Sequence, residues 1–223
     1  MGDSSLFLTR VLDVLFDGGD KIAFAHRSRS MTYRETFNTL RRLHGTLKTE
    51  GIDPGQLVAI TGGNMPETFL LQIAAQLRGA RVAHVDDLAL LERLEPDHVL
   101  SSDPEGPSLV AVRPAHPDRQ ASRSALLPDG HSRTTAESDI ALPRTVETLF
   151  AAEGKIVSHR ESYEELARGC EPHPDGPRRV LLIAPMSHPI GNRITCKALL
   201  SGDTLMLHER APEEAVAPAL EGT

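Results

Sequence analysis

The side chains most able to do chemistry do not form a recognisable catalytic or metal-binding pattern. The ten histidines are scattered without a ligand spacing such as His-x-x-x-His, and the two cysteines, Cys170 and Cys196, form no metal motif. The aspartate pair at 86–87 is more typical of the first turn of a helix than of a metal site. Ser187 and His188 are adjacent, but nothing marks them as a nucleophile with its base. The residue types therefore predict neither a metal site nor a catalytic residue.

The first hundred residues alternate between short apolar runs and amphipathic segments. Apolar residues three and four apart predict a helix over Leu6–Phe16, and Thr32 with Glu35 forms the capping box that starts a second helix. Strands are then predicted at Ile22–Phe24, Leu57–Ile60, Arg81–Val85 and His98–Leu100, and helices at Glu67–Leu77 and Asp87–Leu94. Strand–helix–strand order with short connections favours an α/β fold, with parallel-sheet layers flanked by helices.

Patterning fades between residues 101 and 138, which we expect to be irregular and mobile, with edge strands at Leu109–Val112 and Ala125–Leu127. Regular structure should resume at Asp139–Leu142. The later predictions are helices at Tyr163–Cys170, Asn192–Leu200 and Pro212–Leu220, a buried strand at Val180–Ala184, and a strand at Thr204–Leu207. Residues 1–223 are therefore predicted to form a single domain.

Charge and composition exclude several function classes. The net charge is −7 and the basic residues are spread along the chain, so nucleic acid is not an expected partner. The apolar runs are far shorter than a membrane span, and the amino terminus has no secretion signal, so we expect a cytoplasmic protein without a membrane partner.

Five short motifs follow one another between Thr32 and Glu209. They are Thr32-Tyr33-Arg34-Glu35, Gly51-Ile52-Asp53-Pro54-Gly55 with the apolar run after it, Asn64-Met65-Pro66-Glu67, Gly79-Ala80, and Pro185-Met186-Ser187-His188-Pro189-Ile190-Gly191. Their order resembles the amino-terminal half of the adenylate-forming superfamily of acyl- and aryl-CoA synthetases, luciferases and peptide-synthetase adenylation domains. Each motif is weak alone, but five in the family's order indicate kinship.

This resemblance implies both a fold and an ancestral reaction. The fold would be the parallel α/β layers of the N-terminal subdomain of adenylate-forming ligases. In the reaction, a carboxylate attacks the α-phosphate of ATP, pyrophosphate leaves, and the acyl-adenylate passes to a thiol.

The family's phosphate-binding loop, rich in Ser, Thr and Gly and ending in Lys-Gly, has a degenerate counterpart here. With Asp139–Leu142 in register with the strand before that loop, an ungapped count places Val146–Lys155 at the loop. The positions concerned are Glu147, Thr148, Glu153, Gly154 and Lys155. Thr148 alone offers a hydroxyl, and the two carboxylates would repel a triphosphate, since charges about 4 Å apart repel by roughly 4 kcal/mol. Gly154-Lys155 is either a shifted trace of the family's Lys-Gly pair or an exposed hairpin tip.

His188 corresponds to a family histidine that lies near the acyl pocket. The resemblance therefore implies a ligand pocket lined by His188, Ser187, Met186 and Gly191. The residues also allow the plainer role in which His188 caps the helix that begins near Ile190.

The family's later half, which supplies the adenine pocket, magnesium ligand, ribose-binding aspartate and lid, has no counterpart in these 223 residues. We therefore expect a truncated homologue that does not adenylate alone and needs no cofactor. It would bind itself, a second protein chain, or a carboxylate or acyl-like small molecule. The alternative is one half of a split acyl- or aryl-adenylating ligase, completed by another chain and using ATP and magnesium. A different enzyme activity around Ser187 and His188 is a third hypothesis.

Overall fold

The computed structural model describes residues 5–27, 29–85, 88–103, 106–110, 123–125, 142–144, 146–152 and 155–208. The elements of the first half are α1 (Leu6–Asp17), β1 (Ile22–His26), β2 (Arg29–Thr32), α2 (Tyr33–Thr49), β3 (Leu57–Thr61), α3 (Pro66–Leu77), β4 (Arg81–His84), α4 (Leu88–Leu94) and β5 (His98–Asp103). Those of the second half are β6 (Gly106–Val110), β7 (Arg123–Ala125), β8 (Thr148–Ala152), β9 (Lys155–Ser158), α5 (Glu161–Gly169), β10 (Arg179–Leu182), α6 (Pro189–Leu200) and β11 (Thr204–Leu207).

The strands of the described residues form two sheets. The smaller sheet has the order β10-β11-β1-β2, in which the first three strands are parallel and β2 is antiparallel to β1. The larger sheet has the order β7-β6-β5-β3-β4-β8-β9, with a parallel centre from β5 to β8 and antiparallel strands at both ends. The predicted α/β fold with parallel-sheet layers and flanking helices is confirmed.

Helix α3 lies between the two sheets. All twelve of its residues are buried, and the ring of Phe69 meets Phe24 of β1 at a centroid distance of 5.7 Å. Its neighbours on the larger sheet include Val58 and Val82, whereas Ala59 and Ala83, which alternate with them, pack with Leu90 of α4. Helix α4 therefore covers the opposite face of the larger sheet, because successive side chains of a strand point to opposite faces.

The capping box predicted at the start of α2 is present. The Glu35 N–H donates to Thr32 Oγ1 over 3.1 Å, and the Thr32 N–H donates to Glu35 Oε2 over 2.8 Å. The two donors would otherwise lack partners at the helix end, so this pair fixes where α2 begins.

Two predictions for single segments are wrong. Val180–Ala184 is not a buried strand, because β10 lies at the edge of the smaller sheet, with Val180 and Leu181 only half-buried and Ile183 exposed. The polar run Ser-Arg-Ser at residues 28–30 predicts a turn, but Arg29 and Ser30 belong to strand β2. Several predictions fall outside the described residues. They concern the helix start at the aspartates 86–87, the regular structure at 139–141, the helix Pro212–Leu220 and much of the stretch 101–138. The single domain over 1–223 stays a prediction.

No helix in the described parts of the chain is both long enough and apolar enough to cross a lipid bilayer.

Candidate functional site

An antiparallel hairpin stands where the sequence predicted a degenerate phosphate loop. Strands β8 and β9 pair from Leu149 with Ser158 to Ala152 with Lys155. The predicted loop residues Thr148 and Lys155 are therefore strand residues, while Glu153 and Gly154 lie outside the described residues. Because the pairing reaches Ala152 and Lys155, only positions 153 and 154 connect the two strands.

Glu147, directly before β8, is held by two polar partners. Its carboxylate accepts hydrogen bonds from Arg81 Nε over 2.5 Å and from Ser158 Oγ over 2.7 Å. Partial burial would by itself raise the pKa of this carboxyl, but the hydrogen bonds from Ser158 and Arg81 and the charges of Arg81 and Arg160 outweigh it and leave the pKa lowered. The charge of Glu147 is thus paired across the sheet with β4.

Thr148 belongs to a buried polar cluster that joins five elements of the fold, α3, β4, β8, α5 and α6. The cluster consists of Gln72, Gln76, His84, Thr148, Tyr163 and Asn192, each at most 4% exposed. Gln76 Nε2 donates to Thr148 Oγ1 over 2.8 Å, and the Tyr163 hydroxyl lies 2.8 Å from the same oxygen. The one hydroxyl that the sequence offered for phosphate binding is therefore engaged inside the core.

Tyr163 is the centre of the cluster. Its hydroxyl lies 2.6 Å from Asn192 Oδ1 and accepts from Gln72 Nε2 over 3.2 Å. Asn192 Nδ2 donates to Gln72 Oε1 over 2.6 Å, which closes a ring of three hydrogen-bonded side chains. Burial, as the main cause, raises the pKa of the Tyr163 phenol far above its ordinary value, so the phenol stays protonated.

His84 contacts both the polar cluster and the aromatic rings of the hairpin segment. Its Nε2 lies 2.9 Å from Gln72 Oε1, and its ring stacks on Phe150 at 5.5 Å, with His159 edge-on to the same phenyl at 5.1 Å. Complete burial lowers the pKa of His84 to about 4, so the ring is neutral at pH 7. Within the described residues, His84 Nδ1 and Gln76 Oε1 are buried without a hydrogen-bond partner.

A cleft of about 290 Å³ opens above this cluster, between the hairpin, α5 and the amino end of α6. Its apolar and rim residues include Phe150, His159, Leu166, Pro189, Ile190 and Arg193. Tyr163 and Asn192 of the polar cluster also line it. The cleft therefore combines a mostly apolar wall with a few polar groups, as small-molecule sites usually do.

The four residues predicted to bind a ligand lie beside the cleft and are not among its lining residues. Met186 is buried and its N–H donates to Asn64 Oδ1 over 2.8 Å. His188 is exposed and its Nδ1 accepts from the Ile190 N–H over 3.3 Å, so it caps α6. A Cβ on Gly191 would lie 1.9 Å from the carbonyl oxygen of Pro185. The structure thus gives them structural contacts, with Ser187 half-buried between them, and their ligand role stays a prediction.

The sequence analysis missed the polar cluster and the residues that line the cleft. The available signal was a pair of glutamines, Gln72 and Gln76, four residues apart in the otherwise apolar segment Phe69–Leu77, because such a pair shares one helix face. His84 and Asn192 gave no signal of their own. They lie 108 residues apart in the chain, and the fold brings Asn192 Nδ2 to 3.5 Å from His84 Nε2.

The sequence profile of the family described as AMP-binding enzyme matches residues 16–136, which is more than half of the chain. The chain belongs to the AMP-binding enzyme family.

Relatives agree with this assignment. The chain is 28% identical over 141 residues to the probable acyl-activating enzyme 4 of Arabidopsis thaliana, an alignment that covers 59% of this chain and 25% of that protein. The chain therefore spans about a quarter of the curated relative that it matches.

Two solved structures from Klebsiella oxytoca share the fold. One is NpsA-ThdA, an artificially fused adenylation–PCP di-domain, with a TM-score of 0.75 at 17% identity over 99% of this chain and 43% of that one. The other is the NpsA N-terminal subdomain in complex with 3-hydroxyanthranilyl-AMSN, with a TM-score of 0.70 at 17% identity over 96% of this chain and 56% of that one. This AMP-binding-family chain thus has the fold of the N-terminal subdomain of adenylation domains.

Proposed function

We propose that the chain is a ligase-family scaffold that binds a small acyl- or aryl-carboxylate and does not adenylate it unaided. The β8–β9 hairpin carries this proposal. A phosphate cradle needs several neighbouring backbone N–H groups turned toward one point. Pairing between Ala152 and Lys155 leaves only two positions for such a cradle.

The side chains before the hairpin support the same conclusion. Glu147 keeps a carboxylate, paired with Arg81, close to the position where the family grips a polyanion. The Thr148 hydroxyl is fully buried and bonded to Gln76. Neither side chain is free to stabilise a triphosphate, since a hydrogen-bond donor must first give up its internal partner.

The cleft supports the choice of ligand. Phe150, Leu166 and Ile190 provide an apolar surface, and Ile190 is 59% exposed. Arg193 stands at the rim and forms no hydrogen bond or ion pair with any of the described residues, so its guanidinium is available to a carboxylate. The complex of the related N-terminal subdomain with 3-hydroxyanthranilyl-AMSN favours an aryl group.

Calorimetric titration with benzoate, hexanoate and magnesium-ATP tests this proposal. We expect heat from at least one of the two carboxylates and none from ATP. Arg193→Gln should weaken carboxylate binding about tenfold, as expected for a lost charged hydrogen bond. Arg42→Gln, on the exposed side of α2, is the matched control and should leave it unchanged. Binding of ATP to the unaided chain would contradict the proposal.

Two related predictions can be tested with the same purified protein. A split ligase would show ATP binding or adenylation only after a second chain is added, which would favour that alternative. For self-association, the half-buried Leu181 and Met206 pair on neighbouring strands of the smaller sheet, next to the exposed Ile183, and offer an apolar surface. Light scattering that shows only monomer at high concentration would contradict self-association.

A further inference from the structure

A second groove, separate from the cleft, lies where β10 and β11 begin beside the carboxyl half of α6. It encloses about 400 Å³. Its apolar residues are Val180, Ile194 and Ala198, and its charged residues are Arg178, Arg179, Lys197 and Asp203. Among the described lining residues, three cations thus face one carboxylate.

That carboxylate is already neutralised. The Arg178 N–H donates to Asp203 Oδ1 over 2.8 Å, and Arg178 Nη2 donates to Asp203 Oδ2 over 3.1 Å. The Asp203 side chain is 1% exposed, whereas the Arg178 side chain is 50% exposed. Asp203 therefore fixes the guanidinium of Arg178 at the groove and leaves the rest of its N–H donors facing outward.

The other cations add positive charge on the same groove. Lys197 forms no hydrogen bond or ion pair with any residue that the structure describes. A lysine in the last turn of a helix is favoured by the helix dipole whether or not it binds anything. The helix dipole accounts for a positive charge at Lys197. It does not account for Arg178, a second cation on the same groove, which directly precedes β10 and is held there by the buried Asp203.

We propose that this groove binds an amphiphilic anion, namely a carboxylate or phosphate carried by a short alkyl or aryl group. Arg178 and Lys197 bind the anionic head, and Ile194 and Val180 contact the apolar part. The combination matters because an anion without an apolar group would leave the apolar walls exposed to water, and a neutral chain would leave Lys197 without a charged partner. The site stands apart from the proposed function, since none of its lining residues lines the cleft.

The test is an amide chemical-shift titration of the isotope-labelled full chain with hexyl phosphate, hexanoate, 1-hexanol and inorganic phosphate. We expect hexyl phosphate or hexanoate to shift the amides of Val180, Ile194 and Ala198. Whichever of the two binds more tightly identifies the head group. 1-Hexanol and inorganic phosphate should each bind at least about tenfold more weakly than that ligand.

Variants locate the binding. Lys197→Gln should weaken it about tenfold, and Lys197→Arg should restore most of the affinity. Lys48→Gln, at an exposed lysine in the last turn of α2, is the control. Arg193→Gln, which tests the cleft, should leave groove binding unchanged. Equal binding of 1-hexanol, an unchanged affinity in Lys197→Gln, or shifts confined to the cleft would overturn the proposal and leave the proposed function untouched.

Discussion

Replacing Tyr163 with phenylalanine removes one oxygen from the centre of the buried polar cluster and keeps the ring. The aromatic contact with Phe7, at a centroid distance of 4.7 Å, is therefore retained. Gln72 Nε2 loses its acceptor, and Asn192 Oδ1 keeps only the thiol of Cys196 at 3.8 Å. One buried amide nitrogen is thus left without an acceptor, and one buried amide oxygen keeps only a long contact with a thiol.

The expected cost follows from those two groups. A buried polar group without a partner costs about 1–3 kcal/mol, and the two groups belong to one network, so we expect a total near 3 kcal/mol and not twice the maximum. For a chain of this length, about 3 kcal/mol corresponds to a fall of roughly 10 °C in the melting temperature. Tyr33→Phe is the matched control. The Tyr33 hydroxyl donates to the backbone carbonyls of Asp203 and Leu199, and the Leu199 carbonyl keeps the Gly202 N–H. That variant should lose about 1 kcal/mol.

Urea unfolding followed by circular dichroism measures both variants on one scale. The account predicts that Tyr163→Phe loses at least twice as much free energy of unfolding as Tyr33→Phe, with an unchanged slope in urea. A loss below about 1 kcal/mol in Tyr163→Phe, or equal losses in the two variants, would refute the view that the phenol holds the cluster together.

Two further predictions concern backbone packing and pH. Gly191→Ala should abolish soluble expression or cost about 3 kcal/mol or more, because its Cβ would lie 1.9 Å from the Pro185 carbonyl oxygen. Gly45→Ala, which has open space around it in α2, should instead stabilise the chain by about 0.5–1 kcal/mol. Thermal melts compare the two variants, and equal melting temperatures would be inconsistent with this packing. Glu147→Gln should lose about 1 kcal/mol at pH 7, where the ion pair with Arg81 is intact. The folded-state pKa of Glu147 is lowered, so its contribution is present above the ordinary carboxyl value of 4.5 and is lost as the pH falls through the folded-state value. Urea midpoints of the wild type and of Glu147→Gln should therefore converge at acidic pH, and a constant difference would exclude the pairing.

Local signals in the sequence were sufficient to predict most elements up to residue 100. The capping box of Thr32 and Glu35 is an interaction within four residues, so composition and spacing reveal it directly. The periodicity of α1 is equally local, since Phe7, Leu8, Val11 and Leu15 form its buried side. Such features do not depend on which strand lies beside which.

Features that depend on strand order were not predictable in the same way. The run Val180–Ala184 is as apolar as a central strand, but β10 is only partly buried, and among the described residues its one neighbouring strand is β11. The phosphate-loop prediction came from an ungapped count along a resembling family. The pairing of Ala152 with Lys155, which turns that segment into a hairpin, is a contact that counting does not show.

The candidate site was the least predictable part. Its centre joins Gln72 of α3, Tyr163 of α5 and Asn192 of α6, which lie far apart in the chain. The family motif at residues 185–191 predicted a ligand role for His188 and Gly191, whose contacts in the structure lie at the start of α6. Pro189 and Ile190 of the same motif line the cleft, as does Arg193, two residues after it.

The central claim is that the hairpin has replaced the groups that would hold the phosphates of ATP. Exchange of isotope-labelled pyrophosphate into ATP tests it most directly, with the purified chain, magnesium and a panel of aryl and alkyl carboxylic acids that includes benzoate and hexanoate. The account predicts no exchange above a protein-free control for any acid. Exchange that depends on both the acid and the unaided chain would contradict it.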